Sequence, residues 1–278
     1  MNLIDYHTHC YLCNHAEGTL EEYIKAALIC NHPLTEIGLS DHFPMHLLPE
    51  DFHIYAMAIE KFPDYIREAK KLRDKYQDLI TVRISSEVDF HPDFFEEYRL
   101  AVQPFLDDID YIIGSVHAVT VDGITIPIDA REAVPLIKEI GVDKAFLGYY
   151  DSVLKMVKSN FYQVVGHLDV PKKYSLIPEN SEAVWGKVMQ VLDAVEKTGI
   201  AVEINTSGMR MQVKEQYPGE RIIKELIERN IPITLGSDAH RPQDVGYRFT
   251  ETVNELKKWG LKTLCHFSKR EKLIVPLH

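Results

Sequence analysis

The segment HTHCYLCNH interleaves three histidines, His7, His9 and His15, with a Cys-x-x-Cys pair, Cys10 and Cys13. Thiols at that spacing serve redox exchange or zinc, whereas His-x-His serves a metal through imidazole. No second Cys-x-x-Cys pair completes a four-thiolate site, and Cys30 and Cys265 are too scattered for a disulfide framework. Cys10 and Cys13 therefore read as small reduced loop residues, and the histidines carry the chemistry. More metal-capable side chains follow along the chain: Asp41 and His42 in LSDH, Glu87 in SSEVD, His117 in GSVH, His167 and Asp169 in GHLD, and Asp238 and His240 in GSDAH. Imidazole mixed with carboxylate suits zinc, iron or manganese. A single histidine of this kind is more often a hydrogen-bonded structural residue; the joint placement argues for a multinuclear site. Glu87, on an otherwise apolar run, is costly to bury without a cation.

Apart from His15, which lies in the first loop and can fold back over the rim, these residues fall at the ends of six of seven short β-branched runs: residues 2–9, 36–40, 80–88, 109–117, 162–168, 200–207, which delivers none, and 231–237, with a weaker eighth at 262–266. Residues two apart on a strand share a side, so His7 and His9 project together, as do Asp238 and His240 if the strand continues past Ser237. Helical patterns separate the strands. Thr19 and Glu22 form a capping box ahead of the first, the helix opening at Ser181 stops at Gly199, and Pro63 breaks the stretch 57–77. Such alternation implies a parallel sheet, and seven or eight units imply a closed (β/α) barrel formed by residues 1–278 as one domain. Function in that fold gathers at the C-terminal strand ends, where these side chains lie. His32, His46, His53, His266 and His278 read as surface or loop residues.

The chain has 278 residues, 45% hydrophobic and 26% charged, with a formal net charge of −11. That excess of acid argues against a long nucleic-acid partner but leaves room for a small phosphorylated substrate held by local arginines. No apolar run approaches a membrane span, and no leader precedes NLIDYHTH, so a cytoplasmic chain is expected. Oligomeric state is not legible.

The motifs DYHTH…H, SDH, E…GSVH, GHLD and GSDAH together resemble those of the polymerase and histidinol phosphatase (PHP) superfamily, nearly end to end from Asp5 to about Gly246. DYIIGSVHAVTVDGITIPID, VVGHLDVPKKY, EINTSGMR and PITLGSDAHRPQDVG look most like its stand-alone histidinol-phosphate phosphatases. The resemblance implies a distorted (β/α)7 TIM-like barrel with the eighth strand an appendage. It also implies three divalent metals (Zn, Fe or Mn): one held by His7, His9, Glu87 and Asp238, a second by Glu87, His117 and His167, and a third by His15, His42 and His240. One departure is Ala118, where an aromatic is expected.

The activity implied is hydrolysis of L-histidinol phosphate to L-histidinol and phosphate, in histidine biosynthesis, by attack of a metal-bridging hydroxide. Asp41 is the first candidate for the acid that protonates the leaving group and Asp169 the second, unless either instead orients a histidine. Arg210 and Arg241 are candidates for the phosphate, and Glu17 for the substrate's ammonium. Competing readings are a PHP-type 3′-exonuclease or nucleotide phosphoesterase, a metal-dependent amidohydrolase, and a non-catalytic metal scaffold. The amidohydrolase reading is weakened because GSVH offers no lysine.

Overall fold

In the computed structural model, which describes residues 3–277, the β-branched runs form β1 (Ile4–Asp5), β2 (Glu36–Leu39), β3 (Thr81–Asp89) and β4 (Tyr111–Ser115). A hairpin, β5 (Ala118–Val121) with β6 (Ile124–Pro127), precedes β7 (Val164–Val165), β8 (Ala201–Asn205) and β9 (Ile233–Gly236). β10 (Thr263–Ser268) and β11 (Glu271–Pro276) form a second hairpin. Seven strands pair in the order β1-β2-β3-β4-β7-β8-β9, every pair parallel. The seam between first and last is bridged by the Tyr6 amide donating to Leu235 O at 2.9 Å and the His9 amide to Ala239 O at 3.0 Å. The result is a nearly closed, distorted (β/α)7 barrel, whose strands carry fully buried apolar residues such as Leu39, Ile84, Ile112, Val165, Ile204 and Leu235.

The first strand is shorter than residues 2–9, and Asn2, like His278, lies outside the described residues. After Asp5 the ladder passes to side chains: the His7 amide donates to Asp5 Oδ1 at 3.3 Å and the Thr8 amide to Ser40 Oγ at 2.9 Å. Pro63 does not break a helix but opens one, Phe62–Tyr76, in the first turn, where its missing N–H is no loss. The capping box forms as expected: the Glu22 carboxylate accepts from the Thr19 amide at 2.7 Å, and Thr19 Oγ1 from the Glu22 amide at 3.4 Å. The helix Ser181–Thr198 is capped by Asn180, one residue earlier than its first turn, and ends at Gly199 with φ +68°. The segment 118–131 contains the β5–β6 hairpin, which is not among the runs expected as strands and whose Asp122–Gly123 turn has φ of +51° and +80°. Ala118 is buried with Met45, Leu48, Phe52 and Ala56.

The eighth strand candidate is the β10 arm of the second hairpin, outside the barrel sheet, as the resemblance implied. His266 on it is not a surface residue: it is 3% exposed, and its Nδ1 donates to Glu36 Oε1 at 2.9 Å. Glu36 Oε2 also accepts from Tyr6 Oη at 2.6 Å and Arg83 Nε at 2.9 Å. This network ties the hairpin to the end of the barrel remote from the histidines. Burial alone raises the Glu36 carboxyl, but the bonds from His266, Arg83 and Tyr6 outweigh it and hold the group at about 2. A depressed carboxyl contributes stability that is present above its ordinary value and lost as pH falls towards the folded one. Glu36→Gln is therefore expected to cost about 2 kcal/mol near neutral pH and to flatten the loss of stability between about pH 4.5 and about pH 2. Denaturant titration across pH checks this; an unchanged acid limb would contradict it.

Candidate metal centre

β3 delivers Glu87 to the middle of the barrel mouth, where it is 1% exposed. Its Oε2 lies 3.3 Å from His7 Nε2, 3.6 Å from His9 Nε2 and 3.0 Å from His42 Nδ1. Its Oε1 lies 3.0 Å from His167 Nε2 and 3.6 Å from His117 Nε2. His7 and His9 project together, their rings 5.0 Å apart, as the two-residue spacing required. Asp238 Oδ1 joins them, 3.1 Å from His9 Nε2 and 3.9 Å from His7 Nε2. The extended chain does not continue past Ser237: Asp238 has φ +51°, a left-handed turn that aspartate tolerates better than most residues. Asp238 and His240 still reach the same mouth, His240 on the side of His15. Thus all nine residues expected around metals, His7, His9, His15, His42, Glu87, His117, His167, Asp238 and His240, converge at the C-terminal ends of the strands.

A second layer fixes the rings. His7 Nδ1 donates to Glu203 Oε1 at 2.7 Å, and His117 Nδ1 to Asp89 Oδ1 at 3.0 Å. His15 Nδ1 donates to Cys13 O at 2.9 Å, and His240 Nδ1 to Asp238 O at 3.1 Å. Carboxylates and carbonyls only accept, so these rings carry their hydrogen on Nδ1 and turn the Nε2 lone pair into the site. His15 Nε2 and His240 Nε2 then face each other at 2.8 Å. Two lone pairs at that distance repel unless a cation or proton lies between them. Deeper in the mouth, His7 Nε2, His9 Nε2, His42 Nδ1 and Glu87 Oε2 are buried without a hydrogen-bond partner. Buried imidazole and carboxylate lone pairs that lack a donor at these four atoms fit divalent cations. Sets with donor atoms close enough to share an ion include His7–His9–Glu87, His9–His42–His240, His42–Glu87–His117 and His9–Cys13–Asp41.

Protonation shows the same demand for positive charge. Burial opposes charge on His9 and His117, but neighbouring carboxylates outweigh it: Asp238 and Asp41 hold His9 up at about 9, and Glu87 and Asp89 hold His117 at about 10. His42, buried and beside the cationic rings, is pushed down to about 3 despite the attraction of Glu87. Burial works against the Glu87 carboxylate too, yet His42, His7 and His117 keep it well below the usual range.

The site opens into a cavity of about 680 Å³, within the range of small-ligand pockets. Arg210 lines it: Nη2 donates to Ser237 O at 2.8 Å and Asp238 O at 3.0 Å, the Tyr247 ring lies 5.0 Å from the guanidinium carbon, and Nη1 is buried without a partner. Arg241 lines it as well, but its guanidinium is half exposed and paired with Asp244 at 3.1 Å. Glu17 lies on the exposed rim.

Neither candidate acid is among the cavity-lining residues. Asp41 is fully buried behind the histidines; it accepts from Cys10 Sγ at 2.9 Å and the His42 amide at 2.9 Å, with His9 Nδ1 at 3.4 Å. Asp169 Oδ2 is taken by Lys172 Nζ at 2.9 Å and the Gly219 amide at 2.8 Å.

Glu203 and Asp89 were not singled out from sequence. Glu203 could have been, by the reasoning applied to Glu87, since it too sits between apolar residues on a strand. Its reach across the barrel needs Gly236, where a Cβ would collide with the Glu203 carboxylate. Two other cavity residues, Lys173 and Asp129, form an ion pair of 2.9 Å that no sequence pattern announced.

Comparison with known proteins follows the same lines. The family model "PHP domain" matches residues 5–207, and a "PHP-associated" model matches residues 220–260. The chain is 35% identical to a Deinococcus radiodurans protein named "Probable histidinol-phosphatase", over 94% of this chain and 95% of that one. It is 29% identical to the Bacillus subtilis "Histidinol-phosphatase", over 88% and 96% respectively. Among solved structures, the fold matches a Lactococcus lactis histidinol phosphate phosphatase complexed with zinc, L-histidinol and phosphate. That match has a TM-score of 0.79 and 21% identity over 98% of this chain and 99% of that one.

Glu203→Gln replaces a carboxylate partner of His7 with an amide. It is expected to weaken metal affinity about 10- to 100-fold while the barrel stays folded. Competition with a chromophoric chelator measures it, and wild-type affinity in the variant would contradict the role given to Glu203.

Proposed function

The chain belongs to the PHP domain family, and on that premise we propose that it is a metal-dependent phosphomonoesterase that hydrolyses L-histidinol phosphate to L-histidinol and phosphate. The observation that carries this reading is a buried set of unpartnered imidazole and carboxylate lone pairs opening onto a cavity beside the free Nη1 of Arg210. The names of the Deinococcus and Bacillus relatives support the substrate, as do the histidinol and phosphate in the Lactococcus complex. The reading takes residues 1–278 as one catalytic unit.

Under this proposal His7, His9, Glu87 and Asp238 hold one cation, Glu87, His117 and His167 a second, and His15, His42 and His240 a third, each zinc, iron or manganese. Bound divalent ions supply Lewis acidity: they lower the pKa of coordinated water from about 15.7 towards about 7 and neutralise phosphoryl charge. Arg210 does the orienting. Its Nη2 is spent on two carbonyls and its face on Tyr247, so Nη1 is left to bind a phosphate oxygen at little cost in side-chain freedom. Arg241 shares its charge with Asp244 and contributes less. Glu17 draws the substrate's ammonium to the rim. Asp41 and Asp169 act as orienters: Asp41 aligns His9, and Asp169 anchors Lys172 and the loop at Gly219.

Phosphate release by the metal-loaded protein from L-histidinol phosphate, beside a panel of other phosphomonoesters and a single-stranded oligonucleotide, tests the reading. A preference of at least about 10²-fold in kcat/KM for histidinol phosphate is expected. Activity confined to the oligonucleotide would overturn it. Glu87→Gln is expected to lower kcat by about 10³-fold or more with the barrel still folded, and Arg210→Met to lower kcat/KM by roughly 10²-fold. Near-wild-type turnover in either variant would contradict the role assigned to that residue.

A further inference from the structure

With Asp41 and Asp169 outside the cavity lining, the leaving oxygen needs another source of its proton. Tyr217 lines the cavity, is 1% exposed, and its hydroxyl is buried without a hydrogen-bond partner. Its position is fixed from several sides. The Tyr217 amide donates to Asn205 O at 2.8 Å and the Asn205 amide to Tyr217 O at 2.6 Å, pinning the residue to the end of β8. Gly208 lies so close to the ring that a Cβ there would come within 2.8 Å of Cζ, and Lys172 Nζ stands 5.6 Å from the ring centre. Leaving a buried O–H unpaired is costly, and such a group persists where a ligand supplies the acceptor.

The surroundings say which part of the ligand that is. Besides burial, the groups acting on the phenol are Asp169, Asp129, Asp238 and Tyr174, all anionic or potentially so, and together they raise it far above its ordinary value. Asp169 and Asp129 are balanced by Lys172 and Lys173, each at 2.9 Å, and the phenol, a protonated donor with no charge of its own, suits the alcohol oxygen of the substrate rather than its phosphoryl anion. Arg210, by contrast, offers its free nitrogen to the phosphoryl end.

Resting on the phosphomonoesterase reading above, we propose that Tyr217 is the proton donor to the leaving oxygen of the substrate. As the P–O ester bond breaks, its electron pair stays on the alcohol oxygen, which takes the phenolic proton. Water supplies the hydroxyl group that joins phosphorus and the proton that restores the phenol, so ester and water give alcohol and phosphate with nothing left over. A protonated phenol suits this role because an aliphatic alkoxide is a strong base and takes a proton even from a weak acid.

The test sets metal-loaded wild type against Tyr217→Phe on two esters, L-histidinol phosphate and p-nitrophenyl phosphate, whose nitrophenolate departs without a proton. The kcat for the alkyl ester is expected to fall about 10²-fold and that for the aryl ester less than about threefold. Metal content and thermal midpoint stay unchanged. Calorimetry is expected to show L-histidinol bound about fivefold more weakly and inorganic phosphate bound as before. Equal losses on both esters, no loss on either, or a collapsed thermal midpoint would overturn the assignment of Tyr217 alone. A wild-type protein that hydrolyses neither ester would overturn the underlying reading and this proposal together.

Discussion

One carboxylate has five imidazole rings around it. Glu87 lies within 3.0–3.6 Å of nitrogens on His7, His9, His42, His117 and His167, in a place water hardly reaches. Nothing in an apolar barrel favours such a cluster for its own sake, since buried polar atoms without partners destabilise. The arrangement makes physical sense only with positive charge among the rings, as protons or as metal cations. Much else at the barrel mouth follows from supplying that charge at fixed positions.

The fold meets the requirement by spending its strand ends on ligands and a surrounding layer on their orientation. Glu203 shows how far the constraint spreads. Its carboxylate accepts from His7 through one oxygen and from the His167 amide and Asn205 Nδ2 through the other. One side chain on β8 therefore steadies ligands from the first and fifth barrel strands, and it does so only because Gly236 leaves the space. Asp5 does similar work on the backbone, accepting from the amides of His7, Ser237 and Gly246 and so joining the strand that carries His7 to the loop that carries Asp238 and His240. At the opposite end of the barrel the Glu36–Tyr6–Arg83–His266 network secures the hairpin, leaving the mouth free for the chemistry.

The ligand residues other than His15, which lies in the first loop, were legible because each falls at the end of a β-branched run, and a parallel barrel gathers such ends at one rim. Strand identity was legible and strand length was not: β1 and β7 shrink to two residues each, and around β1 side chains such as Asp5 and Ser40 take over backbone pairing. The β5–β6 hairpin, outside the runs expected as strands, has its signal in Asp122–Gly123 between two short β-branched stretches. His266 was misread because its partner Glu36 is 230 residues away in sequence, a distance over which local pattern says nothing. Tyr217 is harder still: its burial comes from Gly208 and its pairing with Asn205, neither of which leaves a mark in the sequence around it. Asp41 and Asp169 stand beside histidines in the sequence, but such adjacency does not say whether a side chain faces the cavity or the layer behind it.

Anomalous diffraction from crystals of the metal-loaded protein, collected at the zinc, iron and manganese absorption edges, tests the central claim most directly. The account predicts three peaks: two sharing the Glu87 carboxylate, and a third bounded by His15, His42 and His240. An absence of peaks among these residues, or a single ion held by Cys13 and Asp41 away from Glu87, would contradict it.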